Sequence, residues 1–167
     1  MDLEPQRFDA WEDLQKYTYR VASSVGLVCL PLFGADPKRA QDYAIALGDA
    51  LQLTNILRDI GEDLDNGSRI YVPVDDLVRF DYSEEDLLGG VHDARFLEFM
   101  NYQARRCEEL YARATSLLPQ EDYKALLAPR VMHRIYHTLL GKMKKDNFRV
   151  FDRRYRLNKL QKLALLT

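Results

Sequence analysis

The stretch QLTNILRDIGEDLD, residues 52–65, decides the fold of this chain. Asn55, Asp59 and Asp63 recur every fourth residue, and this spacing places the three side chains on one face of an α-helix. The apolar residues between them predict that the opposite face is buried. These residues are Leu53, Ile56, Leu57, Ile60 and Leu64. The stretch therefore predicts a long amphipathic helix that covers residues 36–64 and carries one acidic face.

The acidic face has the chemistry of a magnesium site. Carboxylates four residues apart on a helix repel each other, and the helix dipole disfavours negative charge near a C-terminal end. A hard divalent cation would offset both effects, because Mg²⁺ prefers oxygen ligands. Asn55, Asp59 and Asp63 are therefore candidate metal ligands, with Mg²⁺ as the expected cofactor. The alternative, a merely solvated acidic end of the helix, stays open at this point.

Small or neutral residues continue the acidic face towards the N-terminus of the same helix. Ala44, Gly48 and Gln52 lie on this line at four-residue intervals. Side chains without charge, two of them very small, would leave space beside the metal for an apolar substrate. The pattern therefore predicts a cavity that is apolar at one end and acidic at the other.

Three parts of the chain resemble one known family. Residues 55–73, which contain NILRDIGED and RIYVP, are similar to the second aspartate-rich motif of the squalene/phytoene synthases, the head-to-head prenyl transferases. Residues 17–26, YTYRVASSVG, resemble the helix of that family with the pattern Tyr-x-Tyr-x-Val-Ala-x-x-Val-Gly, which lines the substrate channel. Residues 134–136 and 148–154 are similar to its C-terminal helices, so the resemblance covers nearly the whole chain.

The resemblance implies a fold and an activity. The fold would be an all-α helical bundle of the isoprenoid-synthase type, forming a single helical domain over residues 1–167. The activity would be Mg²⁺-dependent 1′–1 condensation of two prenyl diphosphates, farnesyl or geranylgeranyl, through a cyclopropylcarbinyl diphosphate intermediate. The product would be of the squalene or phytoene type, as in carotenoid or hopanoid biosynthesis. NADPH would be needed only if the product is squalene.

The resemblance also implies roles for individual side chains. Asp59, Asp63 and Tyr136 are the expected catalytic residues, and the two aspartates would share Mg²⁺ with Asn55. Tyr17, Arg58 and Arg149 are expected to contact the substrate diphosphate. The remaining expected substrate-binding residues form the apolar channel and its junction with the metal site: Val21, Ala22, Val25, Gly26, Ala44, Leu47, Gly48, Leu51 and Gln52.

The family carries a first Asp-x-x-x-Asp motif on an earlier helix, which faces the second motif across the cavity. We expect no counterpart of it before residue 49, so the chain would correspond to the C-terminal portion of the enzyme without its N-terminal helices. Alone it would then be inactive, and it would associate with itself or with a chain that supplies the absent motif. The alternative is a non-catalytic member of the superfamily that acts as an assembly or scaffold protein. The acidic residue set argues against that alternative, because a scaffold needs no metal ligands.

Composition narrows the choice of partners and location. Hydrophobic residues make up 47% and charged residues 30% of the 167 residues, as in ordinary globular domains. The net charge of -2 gives no general attraction to nucleic acid. Cys29 and Cys107 are far apart in sequence and are expected to be buried free thiols in a reducing compartment. A cytoplasmic location is expected, with peripheral membrane contact as an open alternative.

Hydrophobic periodicity predicts further helices on both sides of the central one. A first helix is expected to end before Pro31, and residues 65–92 should be largely irregular, with at most one short helix near residues 83–88. Later helices are expected over residues 97–118, 131–143 and 157–166. Pro129 is expected to break or kink the helix that follows residue 118.

Overall fold

The computed structural model describes residues 7–166, and those residues form helices and connections without any β-strand. The prediction of an all-α fold is therefore confirmed. The helical elements are α1 (Trp11–Thr18), the π-helical turn π1 (Tyr19–Ser23), α2 (Ser24–Phe33), α3 (Pro37–Asp65), α4 (Val74–Arg79), α5 (Glu84–Leu88), α6 (Ala94–Ser116), α7 (Leu127–Lys145) and α8 (Lys159–Leu163).

The predicted central helix is confirmed as α3. Asp36 caps its N-terminus by accepting a hydrogen bond from the backbone N–H of Lys38, and Pro37 occupies the first turn, where a missing N–H does no harm. The helix packs against α6 on one side and against π1, α2 and α7 on the others. Its predicted core face is buried from Leu53 to Ile60, and only Leu64, near its C-terminal end, is partly buried. The helix therefore carries its acidic face into the middle of the bundle.

The first helix differs from its prediction at its C-terminal end. It continues through Pro31 and ends at Phe33, because Gly34 adopts the left-handed conformation that terminates a helix. The missing N–H of Pro31 removes one hydrogen bond, which the remaining turn tolerates. The apolar residues of this helix lie on more than one face: Leu14 is buried, whereas Val25 is exposed.

The segment expected to be irregular holds two short helices. The predicted helix near residues 83–88 is confirmed as α5, whose N-terminus is held by reciprocal hydrogen bonds between Ser83 and Asp86. The sequence analysis missed α4, which begins directly after Pro73. Tertiary contacts hold it in place, because buried Asp76 on α4 accepts hydrogen bonds from Gln103 and Arg106 of α6.

The C-terminal helices correct two further expectations. Pro129 neither breaks nor kinks the chain, because it lies in the first turn of α7, where proline is tolerated. The last helix is shorter than predicted and covers only α8. Cys107 is buried as expected, and burial raises its pKa to about 12. Cys29 is only partly buried.

Within residues 7–166, no helix combines the length and the hydropathy needed to cross a membrane.

Candidate active site

Two adjoining cavities lie along α3. The first is apolar, has a volume of about 250 Å³, and is bounded by α3, α7 and the continuous helix α1–π1–α2. The second is polar, has a volume of about 230 Å³, and lies further along α3 towards its C-terminus. Gln52 and Asn55 line both cavities, so the apolar space continues directly into the polar one.

The apolar cavity contains every residue that the resemblance assigned to the channel. From the first helix come Val21, Ala22, Val25 and Gly26, and from α3 come Ala44, Leu47, Gly48 and Leu51. On α7, Tyr136 lines the same cavity together with Pro129 and Met132. Residues far apart in sequence are therefore brought together as expected, although their roles in binding stay a prediction.

The polar cavity is lined by the predicted acidic face. Asn55, Asp59 and Asp63 share it with Arg58. Tyr17 lines it from the opposite side and stacks on Tyr71, with 5.5 Å between the ring centroids. The four-residue spacing therefore places the side chains of Asn55, Asp59 and Asp63 along the same cavity, as predicted.

Two arginines hold Asp59. Arg58 donates from Nε to Oδ1 of Asp59 over 2.7 Å, and Arg154 approaches the same oxygen with its Nε at 3.1 Å. Arg154 also pairs with Glu62 at 2.8 Å. The hydrogen bond to Asp59 is the largest cause that raises the pKa of Arg58, and Tyr136 makes a smaller contribution. The charge of Asp59 is thus compensated from two sides.

Asp63 lacks a direct arginine partner, although weaker attraction by Arg69 and Arg154 partly opposes the rise in its pKa. Burial is the main cause that raises its pKa to about 6, and repulsion by Asp59 adds to the shift. Among residues 7–166, no side chain donates a hydrogen bond to its carboxylate. The Oδ1 atom of Asn55 is likewise buried without a hydrogen-bond partner in the described chain. Two residues that line the polar cavity therefore have unused acceptor atoms: the amide oxygen of Asn55 and the carboxylate of Asp63.

This donor set fits a hard cation, but only as part of its coordination. Two carboxylates and one amide oxygen are suitable ligands for Mg²⁺, which normally keeps several waters or binds phosphate oxygens as well. The part of the chain that the structure describes contains no cluster of three or more His, Cys, Asp or Glu side chains able to hold a metal alone. A bound cation would therefore depend on further ligands from outside this face.

A buried carboxylate, Asp49, fixes the wall opposite α3 and was missed by the sequence analysis. It is 2% exposed and accepts hydrogen bonds from Gln15 at 3.0 Å, Thr18 at 2.7 Å and Ser23 at 3.2 Å. These three donors span α1 and π1, so Asp49 ties the π-helical turn to α3. The available signal was a charged residue on an otherwise apolar part of the helix.

Gly48, next to Asp49, allows that close contact. A Cβ atom at this position would lie 2.7 Å from the Cα atom of Ser23, which is closer than side-chain atoms pack. The small size of Gly48 is thus required for packing against π1, in addition to any space that it leaves in the cavity.

One predicted site residue lies elsewhere. Arg149 lines neither cavity, because its side chain is half-exposed and pairs with Asp152 at 2.8 Å. Arg154, which the sequence analysis did not select as a site residue, approaches the acidic face instead. Arginines are frequent between residues 149 and 156, and composition alone does not distinguish the one that reaches α3.

The expectation that no Asp-x-x-x-Asp spacing precedes residue 49 is wrong. Asp9 and Asp13 have this spacing. They do not form a second acidic face, however, because Asp9 precedes α1 and Asp13 pairs with Lys16 at 2.8 Å. Neither aspartate lines the apolar or the polar cavity.

The outer side of the α1–π1–α2 helix presents an apolar stripe beside the cavity. Val21, Val25, Val28 and Leu32 are all exposed on it, and the exposed fractions of Val28 and Leu32 reach 70% and 79%. Val21 and Val25 also line the apolar cavity, so the stripe continues from the cavity wall to the surface.

The fold and these cavities agree with one protein family. Residues 1–161 match the squalene/phytoene synthase family, and the chain belongs to that family. Its relatives include the 15-cis-phytoene synthase of a Synechocystis species. The two sequences are 38% identical over an alignment of 178 residues, which covers 99% of this chain and 52% of the relative.

Solved structures give the same result. A dehydrosqualene synthase crystallised with a ligand aligns with a TM-score of 0.83 and 32% identity, over 96% of this chain and 56% of the other. The squalene synthase HpnC of Alicyclobacillus acidocaldarius aligns with a TM-score of 0.76 and 26% identity, over 88% and 56% of the two chains. The chain spans about half the length of these relatives. The predicted isoprenoid-synthase-type fold and the family resemblance are thus confirmed.

Proposed function

We propose that this chain contributes to the Mg²⁺-dependent head-to-head joining of two prenyl diphosphates, farnesyl or geranylgeranyl. The observation that carries the proposal is the continuity of the two cavities at Gln52 and Asn55. A substrate with a long apolar chain and an anionic head would fill both spaces, with the chain in the apolar cavity and the diphosphate in the polar one.

Asn55, Asp59 and Asp63 are the residues that would hold Mg²⁺. When bound, the cation would neutralise the charge that develops on the leaving diphosphate. The Asp63 carboxylate, whose pKa is raised mainly by burial, and the unpartnered Oδ1 of Asn55 support this assignment, because both would gain a direct partner. Asp59 would exchange at least one of its arginine contacts for the cation.

Arg58 and Arg154 would bind the phosphate oxygens. Their guanidinium groups are cationic and offer planar pairs of donors, which suit phosphate. In the described chain both arginines already contact Asp59 at the acidic face. They therefore lie beside the position proposed for the diphosphate. We therefore assign to Arg154 the role that the resemblance gave to Arg149.

Tyr17 and Tyr136 would orient the diphosphate. Tyr17 lines the polar cavity, and Tyr136 lines the apolar one beside Arg58. The walls formed by residues 21–26 and 44–51 would then surround the carbocation left after ionisation. Their side chains are mostly aliphatic, so they would exclude water without reacting with the cation.

We propose the reaction class and not one product. Similar relatives carry the names phytoene synthase, dehydrosqualene synthase and squalene synthase. NADPH would be required only if the product is squalene, because that product alone is reduced.

We further propose that a polypeptide of residues 1–167 binds substrate but does not complete the reaction alone. The described residues supply one acidic face, and ionising two diphosphates would require ligands on the opposite side as well. The exposed stripe of Val21, Val25, Val28 and Leu32 supports association with a second copy or with a chain that supplies the opposite face.

Calorimetric titration with farnesyl S-thiolodiphosphate, which resists ionisation, would test substrate binding. We expect binding in Mg²⁺ and a large loss of affinity in EDTA or in the Asp59→Asn variant. Asp65→Asn is the matched control, because Asp65 is an exposed carboxylate on the same helix that does not line the polar cavity. Equal affinity with and without Mg²⁺ would contradict the proposal, and absence of any binding would favour the scaffold alternative.

Product formation is tested separately. Purified protein would be incubated with Mg²⁺ and farnesyl or geranylgeranyl diphosphate, and the mixture extracted into hexane. We expect no C30 or C40 hydrocarbon above the metal-free control. Product formed by residues 1–167, at a concentration at which the polypeptide is monomeric, would contradict the need for a second acidic face.

A further inference from the structure

A strap of non-helical chain, residues 146–155, begins at the end of α7 and carries Arg154 to the acidic face. Arg154 lies 3.1 Å from Oδ1 of Asp59 and 2.8 Å from Oε2 of Glu62. The proposed function assigns a phosphate contact to this arginine. Because Arg154 lies on a connection and not on a helix, its position depends on the contacts that hold the strap.

The strap touches α3 at Gly61, where the two backbones are in close contact. A Cβ atom at position 61 would lie 2.5 Å from the backbone oxygen of Val150, which is closer than side-chain atoms pack. Gly61 is next in sequence to Glu62, which Arg154 contacts. A small displacement of the strap on α3 would therefore change the reach of Arg154.

The turn that begins the strap is strained. Asn147 and Phe148 both have a φ of 50°, which lies in the left-handed region. Asparagine tolerates this region, but it is unfavourable for a bulky residue such as phenylalanine. The Phe148 side chain is only 1% exposed, so it is fixed in the core. Such a turn persists only where the surrounding contacts hold it.

Tyr155 supplies such contacts from the other end of the strap. It is buried, and its hydroxyl donates a hydrogen bond to Oδ2 of Asp146 at 2.7 Å. The same hydroxyl accepts one from the backbone N–H of Arg149 at 2.9 Å. Burial and, to a lesser extent, the hydrogen bond to Asp146 raise the pKa of Tyr155 to about 12, so the hydroxyl stays protonated at physiological pH. One atom thus joins both ends and the middle of the strap, beside Arg154 in sequence.

We propose that Tyr155 is a positioning residue, whose hydroxyl bridge to Asp146 and Arg149 holds Arg154 at the acidic face. The inference rests on the proposed function, since it assumes that Arg154 binds the diphosphate. Without the bridge the strained turn would relax, the strap would shift on Gly61, and Arg154 would occupy the acidic face for only part of the time.

The informative variant is Tyr155→Phe, which keeps the buried ring and removes only the hydroxyl. Asp146 retains its ion pair with Arg153 at 3.2 Å, so the fold should be retained. In Mg²⁺ we expect the affinity for farnesyl S-thiolodiphosphate to fall about threefold, a loss of the size that one hydrogen bond produces. Calorimetric titration of the whole chain would measure it.

A double-mutant cycle with Arg154→Ala separates positioning from a general loss of structure. If Tyr155 acts through Arg154, Tyr155→Phe should change the affinity little once Arg154 is absent. A merely structural role would weaken binding by the same factor with and without Arg154. In the ligand-free protein, nitrogen-15 NMR relaxation of the Arg154 Nε–H group should show greater mobility in Tyr155→Phe.

Tyr82→Phe is the matched control. Tyr82 is also buried, and it donates its hydroxyl to the backbone oxygen of Val91 at 2.8 Å, outside the strap. Its substitution removes the same chemical group and should leave both the affinity and the mobility of Arg154 unchanged. Thermal unfolding would establish that each variant is folded at the temperature of the titration.

The outcomes separate this inference from the proposed function. If the unsubstituted chain binds the analogue, an unchanged affinity or an unchanged mobility of Arg154 in Tyr155→Phe overturns the inference while the proposed function stands. An equal loss of affinity in the Arg154→Ala background, or in Tyr82→Phe, would overturn it as well. If the unsubstituted chain does not bind the analogue, the proposed function is overturned and the inference with it.

Discussion

Asp49 and Asp63 lie on the same helix, where Asp49 is buried and Asp63 is partly buried, and their hydrogen-bond surroundings differ. Asp49 accepts hydrogen bonds from three side chains of α1 and π1. Asp63 receives none from the side chains of residues 7–166, and burial together with the repulsion of Asp59 raises its pKa to about 6. The fold supplies hydrogen-bond donors to Asp49, whereas Asp63 has only the weaker charge attraction of Arg69 and Arg154.

The comparison separates structural charge from functional charge. A buried carboxylate with all its hydrogen bonds made stabilises one arrangement of helices, and its loss leaves several donors unsatisfied. A buried carboxylate with none made destabilises the fold in the absence of a ligand, and such strain is typical of binding and catalytic sites. Position on the helix does not distinguish the two.

The largest expected effect concerns ligand binding by Asp63. Replacing it with Asn should weaken Mg²⁺-dependent binding of farnesyl S-thiolodiphosphate roughly a hundredfold, equivalent to about 3 kcal/mol, because one charged metal ligand is lost. Calorimetric titration would measure the change, and Asp65→Asn should stay close to the unsubstituted chain. A loss of similar size in Asp65→Asn would show that overall charge, and not the site, attracts the diphosphate.

The next effect concerns stability and involves Asp49. In Asp49→Ala the hydroxyls of Thr18 and Ser23 lose their shared acceptor, so the free energy of unfolding should fall by about 2 to 3 kcal/mol. Urea denaturation would measure this fall. Asp49→Asn keeps one acceptor oxygen and should recover part of the loss. Unchanged stability in Asp49→Ala would remove the distinction between the two aspartates.

A smaller effect is expected in the pH dependence of the metal-free protein. The pKa of Asp63 rises on folding from its ordinary value of 3.8 to about 6, so the folded state holds a proton that the unfolded state has lost. The stability contribution of this group is therefore present below pH 4 and is lost as the pH rises to about 6. Asp63→Asn should abolish this decline and should stabilise the protein at pH 7 by about 1 to 2 kcal/mol.

Denaturation in EDTA at several pH values would measure that profile. Asp59→Asn relieves the same repulsion between the two carboxylates. It should stabilise the protein less than Asp63→Asn, because it also removes the partner of Arg58 and Arg154. If Asp59→Asn stabilised the protein more than Asp63→Asn, the assignment of the uncompensated charge to Asp63 would be wrong.

The smallest effect is expected at Arg149. Its exposed pair with Asp152 should contribute almost nothing to stability, and Arg149→Ala should leave analogue binding unchanged. Arg154→Ala, by contrast, should weaken binding several-fold, because Arg154 lies at the acidic face. Parallel titrations of the two variants would decide which arginine serves the site.

The sequence predicted most of the site because the decisive residues lie on one helix. A periodicity of 3.6 residues per turn places Asn55, Asp59 and Asp63 together without any knowledge of the tertiary fold. The same local reasoning failed where distant contacts compensate a local signal. Pro31 does not end its helix, and α4 is held by the contacts of Asp76 with α6.

Asp9 and Asp13 illustrate the limit of spacing as evidence. They have the separation of Asp59 and Asp63, yet Asp9 precedes α1, Asp13 pairs with Lys16, and neither faces a cavity. A spacing indicates a shared face only when both residues belong to the same helix.

The sequence by itself determined the helical class, the core of α3 and the composition of its acidic face, because each follows from the order of residues along one element. Only the tertiary structure decided which partners these residues have. Asp49 has three donors and Asp59 has two arginines, whereas the Oδ1 atom of Asn55 has no hydrogen-bond partner among residues 7–166. Such partners come from other helices, and their positions depend on how the whole bundle packs and not on any local pattern.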